Sequence, residues 1–513
     1  MNIVEAKQQV KYAVEAYLAT DEDGQYRIPL SRQRPILLIG APGIGKTAIM
    51  EQVAAELSIG IVSYSMTHHT RQSALGLPFI EHKEFAGHAY DVSEYTMSEI
   101  IASVYELMEK SGVTRGILFL DEVNCVSETL TPSMLQFLQY KTFGRHRVPE
   151  GWVIVTAGNP AEYNRSVHEF DIVTLDRVKR IEVEPDFDVW KTYAYETGVH
   201  ESIMTFLEIK PERFYNIERT LSGKEFVTAR GWVDLSEAIK LHEDLGFPID
   251  EALVGQYVQV PDIAEEFALY YELFNRYKRE YGIEAILAGT VTTDVLARAR
   301  GAQLDERLSL IGLLLEAAGG RMRHAVTFEA DLLFVRDVLR DAKREVEDGQ
   351  DAYRALDEHC AALSDELERG MLASSMDETA QRVRRHAVRM LRSAMSASNL
   401  GLMQGQDAFT AAVAAYERDV EAMGAAAREA QDALTNVFTF IEDAYGDGQE
   451  MLMFVTELTA RPQCSRFISE FGNDAYFKHN SELLVYTREQ DLRARIDELG
   501  LDVVDTDELP YDA

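Results

Sequence analysis

Cysteine is scarce in this chain: Cys125, Cys360 and Cys464 are the only three among 513 residues, far apart and in no CxxC pair. That excludes a disulfide-stapled scaffold and a cysteine-built structural zinc site, and it fits a reducing compartment. Long apolar runs are missing too. No stretch approaches the roughly 18 uninterrupted apolar residues of a membrane span. The amphipathic segment Met1–Tyr17 carries charges of both signs and lacks the basic-then-apolar plan of a signal peptide. Positive charge is in deficit, with 51 Lys and Arg against 86 Asp and Glu and a net charge of −35. Both halves are acidic, so no basic face offers itself to nucleic acid or to an anionic membrane, although a local basic pore stays compatible. Solenoid repeats and low-complexity tracts are absent. The expectation is a soluble cytoplasmic protein of about two to four domains.

What is present is a change of periodicity along the chain. Residues 1–20 read as a helix with Val4, Val10, Ala13, Val14 and Tyr17 on one side, followed by a solvated turn at Asp21–Gly24. From Pro35, short apolar runs at Ile36–Ile39, Ile61–Ser65, Gly116–Leu120 and Val153–Thr156 alternate with helical segments. Runs apolar on both faces predict a parallel sheet covered by helices on each side. Beyond about Val189 only helices are expected, punctuated by Pro211, Pro248 and Pro261. In the last half, Phe409, Val413, Tyr416, Val420, Met423, Ala427, Ala430, Leu434, Val437 and Ile441 alternate steps of four and three. That is a coiled-coil seam. A second seam runs from Leu304 to Ala325 and resumes at Phe328 after a one-residue slip, and Tyr353–Leu367 adds a further piece. Gly319-Gly320, Gly349 and Gly401 are expected to break the helices and let them reverse into an antiparallel arm.

Gly40-Ala41-Pro42-Gly43-Ile44-Gly45-Lys46-Thr47 follows an apolar strand and opens a helix at Ala48. The glycines let backbone N–H groups turn inward around phosphate oxygens, with the helix N-terminus adding positive potential. Lys46 is expected on the β/γ-phosphates and the Thr47 hydroxyl on Mg2+, with the set Gly40–Ala48 binding ATP. A second apolar strand, Gly116–Leu120, ends in Asp121-Glu122, 75 residues after Lys46. Asp121 is placed to hold the magnesium, and Glu122 to polarise the attacking water. Val153–Gly158 ends in Asn159, 38 residues after Asp121. If this strand lies between the other two, Asn159 can bond the γ-phosphate or orient the water. Arg177, with Lys179 and Arg180 as competitors, and Arg230 after Ala229 are candidate cations for charge developing on the transferred phosphoryl group. Lys141–Val148 reads as a hairpin with a glycine turn, and Phe143 with its arginines could meet a substrate chain in a pore. His68, His69, His82 and His88 read as loop histidines.

These motifs, in this order, resemble the AAA+ ATPases, and in particular the MoxR-type branch that also includes relatives of the magnesium-chelatase motor subunit. The resemblance covers roughly residues 1–290. It implies an α/β P-loop core over 1–190 and a helical lid over 191–290. It also implies a hexameric homo-oligomeric ring in which Arg177 acts on a neighbour's site and Arg230 serves as the lid sensor. A chaperone-like remodelling role follows, usually with a partner carrying a von Willebrand factor A-like domain. Two departures stand out. Cys125 replaces an arginine found in many members, and the chain after about 290 follows no family pattern. That remainder is expected to form an all-α, coiled-coil-like arm over 291–500 and an acidic tail over 501–513.

Overall fold

The computed structural model describes residues 1–68, 74, 76–126, 130–143, 145–163, 170, 172–220, 223–399 and 408–480. The expected tail at 501–513, the end of the arm, His69, Gly144 and Gly401 lie outside them. The chain divides into two units, each discontinuous in sequence. The first comprises Met1–Tyr193, Lys210–Glu265 and Ala330–Val420; the second comprises Ala194–Ile209, Glu266–Glu329 and Glu421–Ala513.

The first unit is built on a five-stranded parallel sheet of β1 (Ile36–Gly40), β2 (Gly60–Ser65), β3 (Gly116–Asp121), β4 (Trp152–Gly158) and β5 (Lys179–Val183). Their order across the sheet is β2-β3-β4-β1-β5. Alternate residues face opposite sides. Leu37, Leu118, Leu120 and Ile154 pack with helices Glu99–Ser111 and Thr131–Tyr140. Ile36, Leu38, Ile117, Phe119, Val153 and Val155 pack with helices Ile3–Leu18 and Lys46–Glu56. Burial on both faces explains why the strands read as unbroken apolar runs rather than alternating ones. The first helix starts in a capping box, in which the Asn2 side chain accepts from the Glu5 N–H and Glu5 reaches back to the Asn2 N–H. The turn after it is an Asx type, with Asp21 Oδ1 accepting from the N–H groups of Asp23 and Gln25.

Strands do not stop at Val189. Asn216–Thr220 and Gly223–Val227 form an antiparallel hairpin, which then leads into helix Ala229–Leu245. Its residues mix charge and apolar side chains, so it carries no apolar run to announce it. A longer hairpin pairs Pro78–Phe85 with His88–Tyr95. His82 and His88 therefore sit on strands, and His82 faces Asp91 at 2.5 Å.

The C-terminal half is helical: Leu304–Glu347, Ala352–Ala373, Glu378–Asn399, Ala408–Tyr445, Gln449–Ala460 and Pro462–Phe471. Gly319-Gly320 breaks nothing, contrary to the sequence reading. The 44-residue helix runs through both. A Cβ on Gly319 would lie 3.3 Å from Cys464 Sγ, so the glycine serves close packing inside the second unit. Gly349, at φ +102, does end the helix. In the first unit, Val335, Leu339, Leu356, Leu363, Val388, Leu391 and Ala412 bring four of these helices around one core. In the second, Ala427–Ile441 of the predicted seam is buried with Leu310, Leu314 and Phe454, whereas Leu304 is 66% exposed. Among the described residues no helix is long and apolar enough to cross a membrane.

Candidate functional site

The site forms where β1, β3 and β4 end side by side. The strand carrying Asn159 does lie between the strands that carry the P-loop and the two acids. Crossover connections in a parallel sheet put all three carboxyl ends on one edge, and ligands of such sheets bind there.

After β1 the chain turns through Gly43 and Gly45, at φ +73 and +94, a conformation side chains rarely tolerate. Helix Lys46–Glu56 then starts with its first N–H groups directed back at the loop. Lys46 is 8% exposed and folds over the loop, its Nζ donating to the carbonyls of Gly40 (2.9 Å) and Ala41 (2.8 Å) and to Asn159 Oδ1 (2.9 Å). Burial pushes its ammonium down to about 8, against the pull of Asp121, while the nearby charge of Arg230 lowers it further. Thr47 Oγ1 donates to Asp121 Oδ2 at 3.1 Å, so hydroxyl and carboxylate already share one place. Together they offer the hard oxygen ligands that magnesium takes, beside an anion-binding loop.

Glu122 has φ +55 and ψ +35, a left-handed conformation that costs an L-residue about 1–2 kcal/mol. Its N–H donates to Asp121 Oδ1, and its Oε2 accepts from Ser65 Oγ (2.9 Å) and Thr67 Oγ1 (3.1 Å). Asn124 Nδ2 donates to the Asn159 carbonyl at 2.7 Å and so braces the end of β4. Pro42 and Gly43 are gripped from a distant part of the sequence. Tyr215 Oη donates to the Pro42 carbonyl (2.8 Å), and the Arg230 N–H donates to the Gly43 carbonyl (3.1 Å). Thr228 caps the helix that Arg230 opens, and its side chain would stand 2.8 Å from a Cβ on Gly43. A cavity of about 510 Å3 opens beside the cluster, lined by Gly40, Ala41, Asn124, Asn159, Tyr163 and Arg180 among others.

Lys46 is thus hydrogen-bonded to Asn159 and its neighbour Thr47 to Asp121, and Arg230 lies close enough for its charge to act on Lys46. Arg177 is not joined to them. It follows the short helix Ile172–Leu175, is exposed, and makes no ion pair among the described residues, whereas Arg180 pairs with Glu182. Phe143 is packed in the core and not available to a substrate chain. It is 1% exposed and stacks on Phe137 with ring centres 4.0 Å apart, and Arg145 pairs with Glu94. Ser65, Thr67, Asn124 and Tyr215 were missed in the sequence. The one available signal was the polar end of the apolar run Ile61–Ser65, which only the sheet order makes meaningful.

Comparison with curated proteins returns no match. The stretch from the P-loop strand through Asn159 lies within residues 36–168, which match the model of the ATPase family associated with various cellular activities (AAA), so the chain carries an AAA ATPase domain.

Proposed function

We propose that this AAA+ ATPase domain hydrolyses Mg-ATP at the Lys46–Asp121–Asn159 cluster and drives remodelling of a partner protein. The observation that carries the reading is the meeting of Thr47 and Asp121 at 3.1 Å beside a lysine already folded over a glycine loop. The fit to a divalent cation rests on that hydroxyl–carboxylate pair. When bound there, magnesium would neutralise charge building on the phosphate oxygens.

The chain's own groups carry the remaining roles. Lys46 leaves the Gly40 and Ala41 carbonyls to pair with the β- and γ-phosphates. Glu122 takes the proton of the attacking water at its carboxylate, and Asn159 orients that water or the γ-phosphate. Arg230, at the head of its helix, reports phosphate occupancy to residues 228–245. Arg177, exposed and without an ion pair among the described residues, is left to serve a neighbouring copy in a ring of hexameric type. The MoxR-like reading adds a partner with a von Willebrand factor A-like domain, motivated by motif order alone. Phosphate release from ATP should require added Mg2+ and disappear in Asp121→Asn. Metal-independent release, or none from the wild-type protein, would remove the reading.

A second reading, a motor acting on DNA or RNA, is favoured by one observation. Helix Glu378–Asn399 carries five arginines in an otherwise acidic protein, and Arg385, Arg389 and Arg392 are exposed. Clear stimulation of turnover by either nucleic acid would put that reading first.

A further inference from the structure

Two successive carbonyls in the middle of the glycine loop point away from it into donors. The Pro42 carbonyl accepts from Tyr215 Oη at 2.8 Å, across 173 positions of sequence, and the Gly43 carbonyl accepts from the Arg230 N–H at 3.1 Å. A trans peptide unit is planar, so its N–H and C=O point opposite ways. Turning the Pro42 carbonyl toward Tyr215 therefore aims the Gly43 N–H at the other side of the loop. Holding the Gly43 carbonyl does the same for the Ile44 N–H. Neither N–H has a partner among the described residues. Consecutive unpaired N–H groups on a turn of positive φ make a concavity for an anion, and Gly43 and Gly45 supply that turn at +73 and +94.

Packed groups hold Tyr215 at that carbonyl. It follows the short turn Pro211–Arg213, and its neighbour Phe214 lies against Phe187 and Trp190, with ring centres 5.4 and 4.9 Å away. The Phe214 carbonyl accepts from Trp232 Nε1 at 3.1 Å, and Trp232 is fully buried on helix Ala229–Leu245. The first turn of that same helix supplies the Arg230 N–H. Tyr215 and Arg230 are thus tied to each other through Phe214 and Trp232, and the two loop carbonyls are held as a pair. The Tyr215 ring packs on the core that includes Ala41 and Ile44. Burial also pushes its phenol up, so the hydroxyl keeps its proton and stays a donor at neutral pH.

We infer that Tyr215 is a positioning residue of the nucleotide site, whose hydroxyl keeps the Pro42 peptide turned so that the Gly43 N–H faces the phosphate chain. It acts through the loop and touches no reacting atom. ATP and ADP depend on it alike, because both carry the phosphates that a glycine loop cradles. The inference rests on the ATP-binding reading above, and its test separates the two.

The experiment measures fluorescent ATP and ADP binding, and turnover over a range of ATP concentrations, on the full chain. The proteins are wild type, Tyr215→Phe, Gly43→Ala and the double variant. Tyr215→Phe removes one oxygen and leaves the ring packed. It should weaken both nucleotides by the same factor of roughly two to ten, the span of one net hydrogen bond. KM should rise by that factor while kcat at saturation holds, since a contact made equally before and in the transition state moves KM alone. A hydroxyl that only held the fold would lower the urea midpoint of the nucleotide-free protein and leave KM where it was. With the loop already displaced by Gly43→Ala, the second substitution should add less than its single effect. Trp232→Phe, which removes the donor to Phe214, should raise KM in the same sense and serves as the test if Tyr215→Phe does not fold. Unchanged nucleotide affinity in folded Tyr215→Phe, a fall in kcat without a change in KM, or full additivity with Gly43→Ala would overturn the inference alone. A wild-type protein that binds neither nucleotide would overturn the ATP-binding reading and this inference with it.

Discussion

The Lys46 ammonium lies 2.9 Å from Oδ1 of Asn159, a residue 113 positions away in the chain. One bond thus joins the P-loop helix to the end of the neighbouring strand, and it must be exchanged for phosphate when nucleotide enters. Under the proposed function, Asn159 is in this way informed of the loop's occupancy by the lysine it releases.

The depressed Lys46 ammonium makes binding pH-dependent. Polyphosphate pairs with the charged form, so ATP affinity should be level below pH 8 and fall as pH rises through about 8. The folding term has the opposite sense. The unfolded lysine keeps its proton up to 10.5, so the ligand-free protein should gain stability from this group between about 8 and 10.5. Titration calorimetry of ATP binding and urea unfolding of the ligand-free protein, each on wild type and Lys46→Met across that range, read the two effects, and an unchanged pH profile in the methionine variant would contradict the assignment.

Gly43 should not tolerate a side chain. Its φ of +73 and the 2.8 Å approach of Thr228 both forbid a Cβ. Gly43→Ala is expected to weaken fluorescent-ATP binding by roughly tenfold, about 1.4 kcal/mol, while Gly24→Ala, at an open turn, should leave it unchanged.

Arg177→Ala should bind ATP normally and lose turnover if the arginine acts on a neighbour. Mixed with a Lys46→Met protein, which keeps its own Arg177, it should regain part of the activity. Additive inactivity in the mixture would assign Arg177 a role inside its own chain.

The second unit holds a buried ion pair, Arg461 to Glu201 at 2.9 Å, with 6% and 4% of each side chain exposed. The guanidinium also lies 4.5 Å from the centre of the Tyr195 ring. Burial pushes the Glu201 carboxyl up, and the neighbouring Arg461 guanidinium pulls it back down. Removing the arginine strands that carboxylate, so Arg461→Ala should cost about 3–5 kcal/mol in urea unfolding, and Arg461→Met with Glu201→Gln should recover most of it.

The parts legible in the sequence were those fixed by local chemistry. Gly43, Gly45 and Lys46 sit on a strand-to-helix turn that demands glycine. Asp121 and Glu122 end a strand whose apolar run implies burial on both faces. The tie between Ser65 and Glu122 was not legible, because it exists only when β2 lies beside β3. The hairpin around Phe143 was legible but its burial was not, since an aromatic in a short hairpin looks alike whether it meets solvent or Phe137. Gly319-Gly320 looked like a helix break because glycine weakens helices by about 1 kcal/mol each, yet contact with Cys464 decides the matter. The hairpin 216–227 escaped notice because its strands mix charged and apolar residues.

The most direct test compares phosphate release by wild type and Glu122→Gln under saturating Mg-ATP, with nucleotide affinity measured on the same samples. The proposed chemistry requires the glutamine protein to bind ATP as tightly as wild type and to lose turnover by about a hundredfold or more, the usual weight of a general base. Wild-type turnover in Glu122→Gln would contradict it.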